Sequence, residues 1–178
     1  IGSKELVAWL PTILGLGPGD VVAFPRTAYP TYDVGARLAG ATPFPADSTT
    51  AFGPVTPSTA PKLLWLNSPG NPTGQVLGVE HLAKVVAWAR RNGVVVASDE
   101  CYAELAWGDD PVPSILDPRV SGGTTDGLLA LYSLSKQSNL AGYRAAFAAG
   151  DPALVARLLE VRKHAGLIMP GPVQSAMT

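Results

Sequence analysis

Four consecutive apolar residues, Val94 to Ala97, lead directly into Ser98 and Asp99. Three of the four are β-branched valines, and no polar residue alternates with them. Such a run fits a strand covered on both faces, which occurs where helices pack on either side of a parallel sheet. The same arrangement returns twice: residues 62–66 lead into a turn cluster at 67–74, and residues 128–132 lead into Ser133-Leu134-Ser135-Lys136. Open sheets of this kind bind ligands beyond the carboxyl ends of their strands. Asp99 and Lys136 are therefore expected at one edge of one sheet.

Between the strands the apolar spacing is helical. Val79, Leu82, Val85, Val86 and Ala89 share one face of a predicted helix over 79–92, closed by Gly93. A first helix is expected over 3–14, with Pro11 kinking or breaking it. A helix over 32–38, short strands at 20–24 and 41–45, a loop at 46–61 and a weaker strand at 145–149 follow from the same patterns. Asp151-Pro152 supplies an N-cap and a first-turn proline for a last long helix, expected to reach residue 165. Alternating strands and helices make the fold class α/β.

Composition narrows the function classes. Of 178 residues, 47% are hydrophobic and 15% charged, as in a globular domain. A net charge of −1 without a basic stripe gives no support to nucleic-acid binding. No apolar run reaches the length of a membrane span. The one cysteine, Cys101, cannot form an internal disulfide and suits a reducing, cytoplasmic setting. It reads as a small buried residue. His81 and His164 fall on predicted helices with no second ligand at metal spacing, so no metal site is expected.

Several residues after the strands have chemistry to offer. The Lys136 amine can form a Schiff base with a carbonyl once it loses its proton, which burial and nearby positive charge such as Arg144 favour. On composition alone Lys136 reads as a surface lysine, and its place between a buried strand and Ser-, Gly- and Arg-containing flanks argues for the Schiff-base role. A carboxylate at a strand end, Asp99, needs a partner, and a protonated pyridine nitrogen would serve. Tyr102 could reach the same ligand, and the Asn71 amide, in Asn71-Pro72-Thr73-Gly74, can donate to a phenolate oxygen. The planar fork of Arg144 matches a phosphate, and Ser133 and Ser135 add hydroxyls. Gly2-Ser3-Lys4 precedes a helix whose free N–H groups could hold the same phosphate. Tyr29 could offer a flat face to a cofactor ring.

In this order the motifs resemble the class I/II aminotransferases, pyridoxal-phosphate enzymes of fold type I. The NPTG element at 71–74 and the S-x-S-K-x-x-x-x-x-G-x-R run at 133–144 carry most of the likeness. The resemblance implies a three-layer α/β/α large domain with a mixed, mostly parallel sheet. It implies pyridoxal 5'-phosphate as cofactor, with Lys136 as Schiff-base lysine and general base. Asp99 would pair with the ring nitrogen, and Asn71 and Tyr102 with the ring oxygen. Tyr29 would stack on the ring. Ser3 and Lys4 (through backbone N–H), Ser133, Ser135 and Arg144 would hold the phosphate. Substrates would be small amino acids and 2-oxo acids, with neither nucleic acid nor membrane as partner, and the full-length protein would form a homodimer. Stretches 29–36, 66–71 and 135–144 are similar to actinobacterial succinyldiaminopimelate aminotransferases, which implies N-succinyl-LL-2,6-diaminopimelate and 2-oxoglutarate in lysine biosynthesis.

Two other activities fit the same cofactor residues: a carbon–sulfur lyase of this fold, and a pyridoxal-phosphate-sensing domain of a transcription regulator. Residues 1–178 are expected to be one cofactor-binding domain, an internal fragment without the N-terminal segment and C-terminal small domain. In the family, the small domain supplies the arginine that grips the substrate carboxylate, so the fragment alone is expected to be inactive.

Overall fold

The computed structural model describes residues 1–108 and 110–177. Thr178, part of a helix start expected at the end of the chain, lies outside the described residues. In chain order the elements are α1 (Ser3–Ile13), β1 (Val21–Phe24), α2 (Thr31–Leu38), β2 (Thr42–Pro45), β3 (Leu63–Asn67), α3 (Val79–Arg91), β4 (Val95–Asp99), α4 (Pro118–Ser121), β5 (Leu128–Ser133), α5 (Leu134–Gln137), β6 (Ala146–Gly150), α6 (Pro152–Arg162) and α7 (Gly171–Ser175).

The six strands form one sheet in the order β2-β1-β3-β4-β5-β6. The first five run parallel, and β6 joins β5 antiparallel. Alternate residues of the central strands feed two separate cores. Leu63, Trp65, Ala97, Leu129 and Leu131 pack against α1, α2 and α6 through Val7, Leu10, Tyr32, Ala36 and Leu158. Leu64, Leu66, Val96, Leu128 and Ala130 pack on the opposite face against Leu82, Val85, Val86 and Ala89 of α3. The uninterrupted apolar runs thus have a helical layer on both sides, which makes three layers, α/β/α.

Most element boundaries fall within two residues of expectation, and two departures are larger or of another kind. α6 ends at Arg162, three residues early. Pro11 sits inside α1, which continues unbroken to Ile13. The proline removes the N–H that would bond to the Val7 carbonyl. Tertiary packing accommodates this. Gly35 of α2 lies against that carbonyl, so close that a Cβ on it would stand 3.0 Å from Val7 O and 2.9 Å from Ala8 O. At the far end of α1 the Arg157 Nε donates to the Ile13 carbonyl at 3.0 Å, satisfying one of its unpaired groups. No helix among the described residues is long and apolar enough to cross a membrane.

Candidate active site

The carboxyl ends of β3, β4 and β5 converge with the first turn of α1. They enclose a cavity of about 310 Å³. Ser3, Lys4, Tyr29, Asn71, Asp99, Tyr102, Ser135, Lys136 and Arg144 all line it.

Asp99 closes β4 and is buried, as its place beyond the valine run requires. Its Oδ2 accepts a 2.9 Å hydrogen bond from the Tyr32 hydroxyl, and its Oδ1 accepts the Cys101 N–H at 3.3 Å. Burial, reinforced by the adjacent Asp99 carboxylate, pushes the Tyr32 phenol far above its usual range, so it remains a donor. The same two causes push the Cys101 thiol up to about 12. That thiol is buried, as expected, and donates to Ser3 Oγ at 3.5 Å.

Asn67 closes β3, one strand over. Its Nδ2 donates to the carbonyls of Asp99 at 2.9 Å and Pro69 at 3.2 Å, and its Oδ1 accepts the Asn71 N–H at 2.6 Å. One buried amide therefore ties the exits of two strands to the loop that carries Asn71.

Lys136 lies on the short α5, straight after β5. Ser133 caps this turn, its Oγ accepting the Ser135 N–H at 3.1 Å. The Lys136 Nζ stands 5.8 Å from the centroid of the Tyr102 ring, within cation–π range. The burial expected for this amine is not found. Lys136 is exposed at the cavity, on the one short turn that follows β5.

Arg144 adopts a left-handed backbone, φ 55°, and its Nη1 donates to the Ala141 carbonyl at 2.6 Å. Its guanidinium lies over Gly2, next to the N-terminus of α1. A fork of donors next to the free N–H groups of a helix start, with the Ser3 and Ser135 side chains lining the same cavity, offers the kind of donors that suit a phosphate. Tyr29 meets Tyr32 edge to face, 5.9 Å between centroids at 84°, and the Lys4 Nζ stands 5.9 Å from the Tyr29 ring.

All of residues 1–178 match the family described as aminotransferase class I and II. The chain belongs to the class I and II aminotransferases. It is 62% identical over 177 residues to a probable aminotransferase of Mycobacterium tuberculosis, covering 99% of this chain and 41% of that one. It is 60% identical over 177 residues to the 4-dedimethylamino-4-oxo-anhydrotetracycline transaminase OxyQ of Streptomyces rimosus, covering 99% and 48%. Among solved structures, N-succinyldiaminopimelate aminotransferase from Mycobacterium tuberculosis superposes with a TM-score of 0.85 at 26% identity, covering 99% of this chain and 47% of that one. The chain spans about half the length of the curated relatives it matches.

Of the ten expected site residues, nine line the cavity; Ser133 does not. Its buried hydroxyl lies 2.8 Å from Ser135 Oγ and 3.2 Å from the Ala145 carbonyl, holding the start of α5 in place. Asn67, Cys101, Ala141 and Val7 line the cavity without having been singled out as ligand residues. Tyr32 was likewise read only as the start of a helix. Nothing local marks Tyr32, whose partner Asp99 is 67 residues away, and the turn cluster that Asn67 opens does not reveal its bond to the Asp99 carbonyl, 32 residues on. His81 and His164 are both exposed, and no metal-binding cluster occurs among the described residues.

Proposed function

We propose that the full-length protein is a pyridoxal-phosphate-dependent aminotransferase, moving an amino group between an amino acid and a 2-oxo acid. One observation carries this reading: an amine, a carboxylate, an amide, two phenols and a guanidinium from separate parts of the chain line a single cavity. This donor set complements a phosphorylated pyridine aldehyde group by group. Lys136 offers the amine for its carbonyl, and Asp99 the carboxylate for its ring nitrogen. Asn71 and Tyr102 offer donors for its ring oxygen, and Tyr29 an aromatic face. Arg144, Ser135, Ser3 and the first N–H groups of α1, Lys4 included, offer donors for its phosphate. Ser133 contributes through the turn it caps.

When bound, pyridoxal phosphate supplies a carbonyl that takes up amino groups and a protonated ring that accepts the electron pair released at the substrate α-carbon. The protein's part is positional and acid–base. With the cofactor bound, Asp99, fixed by Tyr32 and the Cys101 N–H, would hold a proton at the ring nitrogen. The Lys136 Nζ would take and return the substrate α-proton. Tyr102 and Asn71 would orient the ring oxygen.

Within this activity, N-succinyl-LL-2,6-diaminopimelate and 2-oxoglutarate are the proposed pair, supported by the likeness of stretches 29–36, 66–71 and 135–144 and of the fold. The 60% identity to a tetracycline-pathway transaminase favours a second amino acceptor, 4-dedimethylamino-4-oxo-anhydrotetracycline. A homodimer in the cytoplasm is part of the same proposal.

Borohydride reduction of the cofactor-loaded, full-length protein, followed by peptide mapping, should place the cofactor on Lys136. In a separate, unreduced sample, an amino donor supplied without an oxo acid should convert the cofactor in a single turnover. A label elsewhere, or lyase products without that conversion, would overturn the reading. Rates with succinyldiaminopimelate, LL-diaminopimelate and the tetracycline ketone decide the substrate.

A further inference from the structure

Asp99 is reached by one side-chain hydroxyl, that of Tyr32, and this residue also touches the aromatic ring lining the cavity nearby. Tyr32 is fully buried. It stacks on Trp65, itself fully buried, at 5.0 Å and 24°. Its edge packs on Tyr29 at 5.9 Å and 84°. Its hydroxyl donates to Asp99 Oδ2 at 2.9 Å. Tyr32 does not line the cavity, so its influence there passes through other side chains.

We infer that Tyr32 is a positioning residue that holds Asp99 and Tyr29 in register with each other, fixing the carboxylate and the aromatic face between which the cofactor ring is held. The inference rests on the proposed cofactor chemistry. Three features support it. Tyr32 has few degrees of freedom, because α2 anchors its backbone and Trp65 and Tyr29 confine its ring from two directions. Its hydroxyl keeps its proton, through burial and the neighbouring carboxylate, and so always donates. Among the described residues the Asp99 carboxylate is otherwise met by Cys101, through its N–H at a long 3.3 Å and through its thiol, a weak donor. A carboxylate without the Tyr32 bond can rotate about its last torsion, a broad and shallow one for aspartate.

Tyr32→Phe removes the hydroxyl and leaves both ring contacts, so the fold should survive. The test is a double-mutant cycle in the full-length protein, with Asp99→Asn as the second change and pyridoxal-phosphate affinity of the apo-protein as readout. Tyr32→Phe should weaken binding about tenfold when Asp99 is present, in line with a hydrogen bond to a charged group. It should have almost no further effect beside Asp99→Asn. The circular dichroism induced in the bound cofactor should also fall in Tyr32→Phe alone, because a loosened ring samples more orientations. Affinity within twofold of wild type, or an undiminished loss beside Asp99→Asn, would overturn the inference, as would an unchanged dichroism signal. Failure of the wild-type protein itself to bind the cofactor would instead overturn the reading beneath it.

Discussion

The Arg144 guanidinium lies so close over Gly2 that a Cβ on Gly2 would stand 2.2 Å from Nη2 and 2.7 Å from Cζ. Gly2 also has φ +79°, where side chains are strained. The N-terminus of α1 and the arginine that would share a phosphate with it are therefore packed through a missing side chain. Gly2→Ala should cost about 1–3 kcal/mol in backbone strain and displace the guanidinium. Denaturant midpoint and cofactor affinity should fall together. Arg144→Lys, which keeps the charge and loses the fork, should lower affinity with little change in midpoint.

Asp99→Ala should slow α-proton abstraction by orders of magnitude while some cofactor stays bound, since the ring would lose the group that keeps its nitrogen protonated. Single-turnover rates with a saturating amino donor give the measurement. Near-full activity would remove Asp99 from the role assigned to it.

At the contact between α1 and α2, Gly35→Ala would push a methyl against the Val7 and Ala8 carbonyls. Overpacking of this kind costs about 1–3 kcal/mol. The added methyl should also shift α2, and with it Tyr32. Urea unfolding should show the stability loss, and cofactor affinity should fall in parallel.

Two carboxyl groups predict opposite pH effects. Burial raises Glu100 above the ordinary carboxyl range, opposed by the Ile115 N–H and by the Ser114 and Ser98 hydroxyls. The native state then holds more protons than the unfolded chain between the ordinary and the raised value. Stability should fall as pH climbs through that window. Asp151 is lowered by the Gly127 N–H and by its capping bonds to Ala153 and Leu154. Its contribution is present above the unfolded value and should vanish as pH falls through the folded one. Denaturation across the acid range should show the first slope flattened in Glu100→Gln. Asp151→Ala should cost about 1 kcal/mol at neutral pH, as for a lost N-cap, and that deficit should disappear in acid.

The helices and parallel strands were legible because their signals are local. An apolar stretch such as Val94 to Ala97 has few low-energy fates other than a strand covered on both faces. The spacing of Val79, Leu82, Val85, Val86 and Ala89 describes one helical face by itself. Asn71, Asp99, Tyr102, Ser135 and Lys136 reach the cavity because polar residues after such strands are carried to one sheet edge by the parallel topology, and Ser3 and Lys4 meet them from the start of α1. Ser133 was legible as part of that edge, but not as the cap that shapes α5. Pro11 shows the reverse case: propensity alone breaks a helix there, and packing keeps it whole.

The sequence by itself determined the layered α/β class, the strand ends at which chemistry gathers, and the order of the amine, carboxylate and guanidinium groups. Tertiary structure alone decided which groups hold these in place, Tyr32 on Asp99, Asn67 between two strand exits and Gly2 under Arg144, and that Lys136 stays exposed. The physical reason is range. Hydrophobic periodicity and turn chemistry act over a few neighbouring residues, whereas a hydrogen bond or van der Waals contact between segments far apart in the chain exists only after the sheet has brought them together.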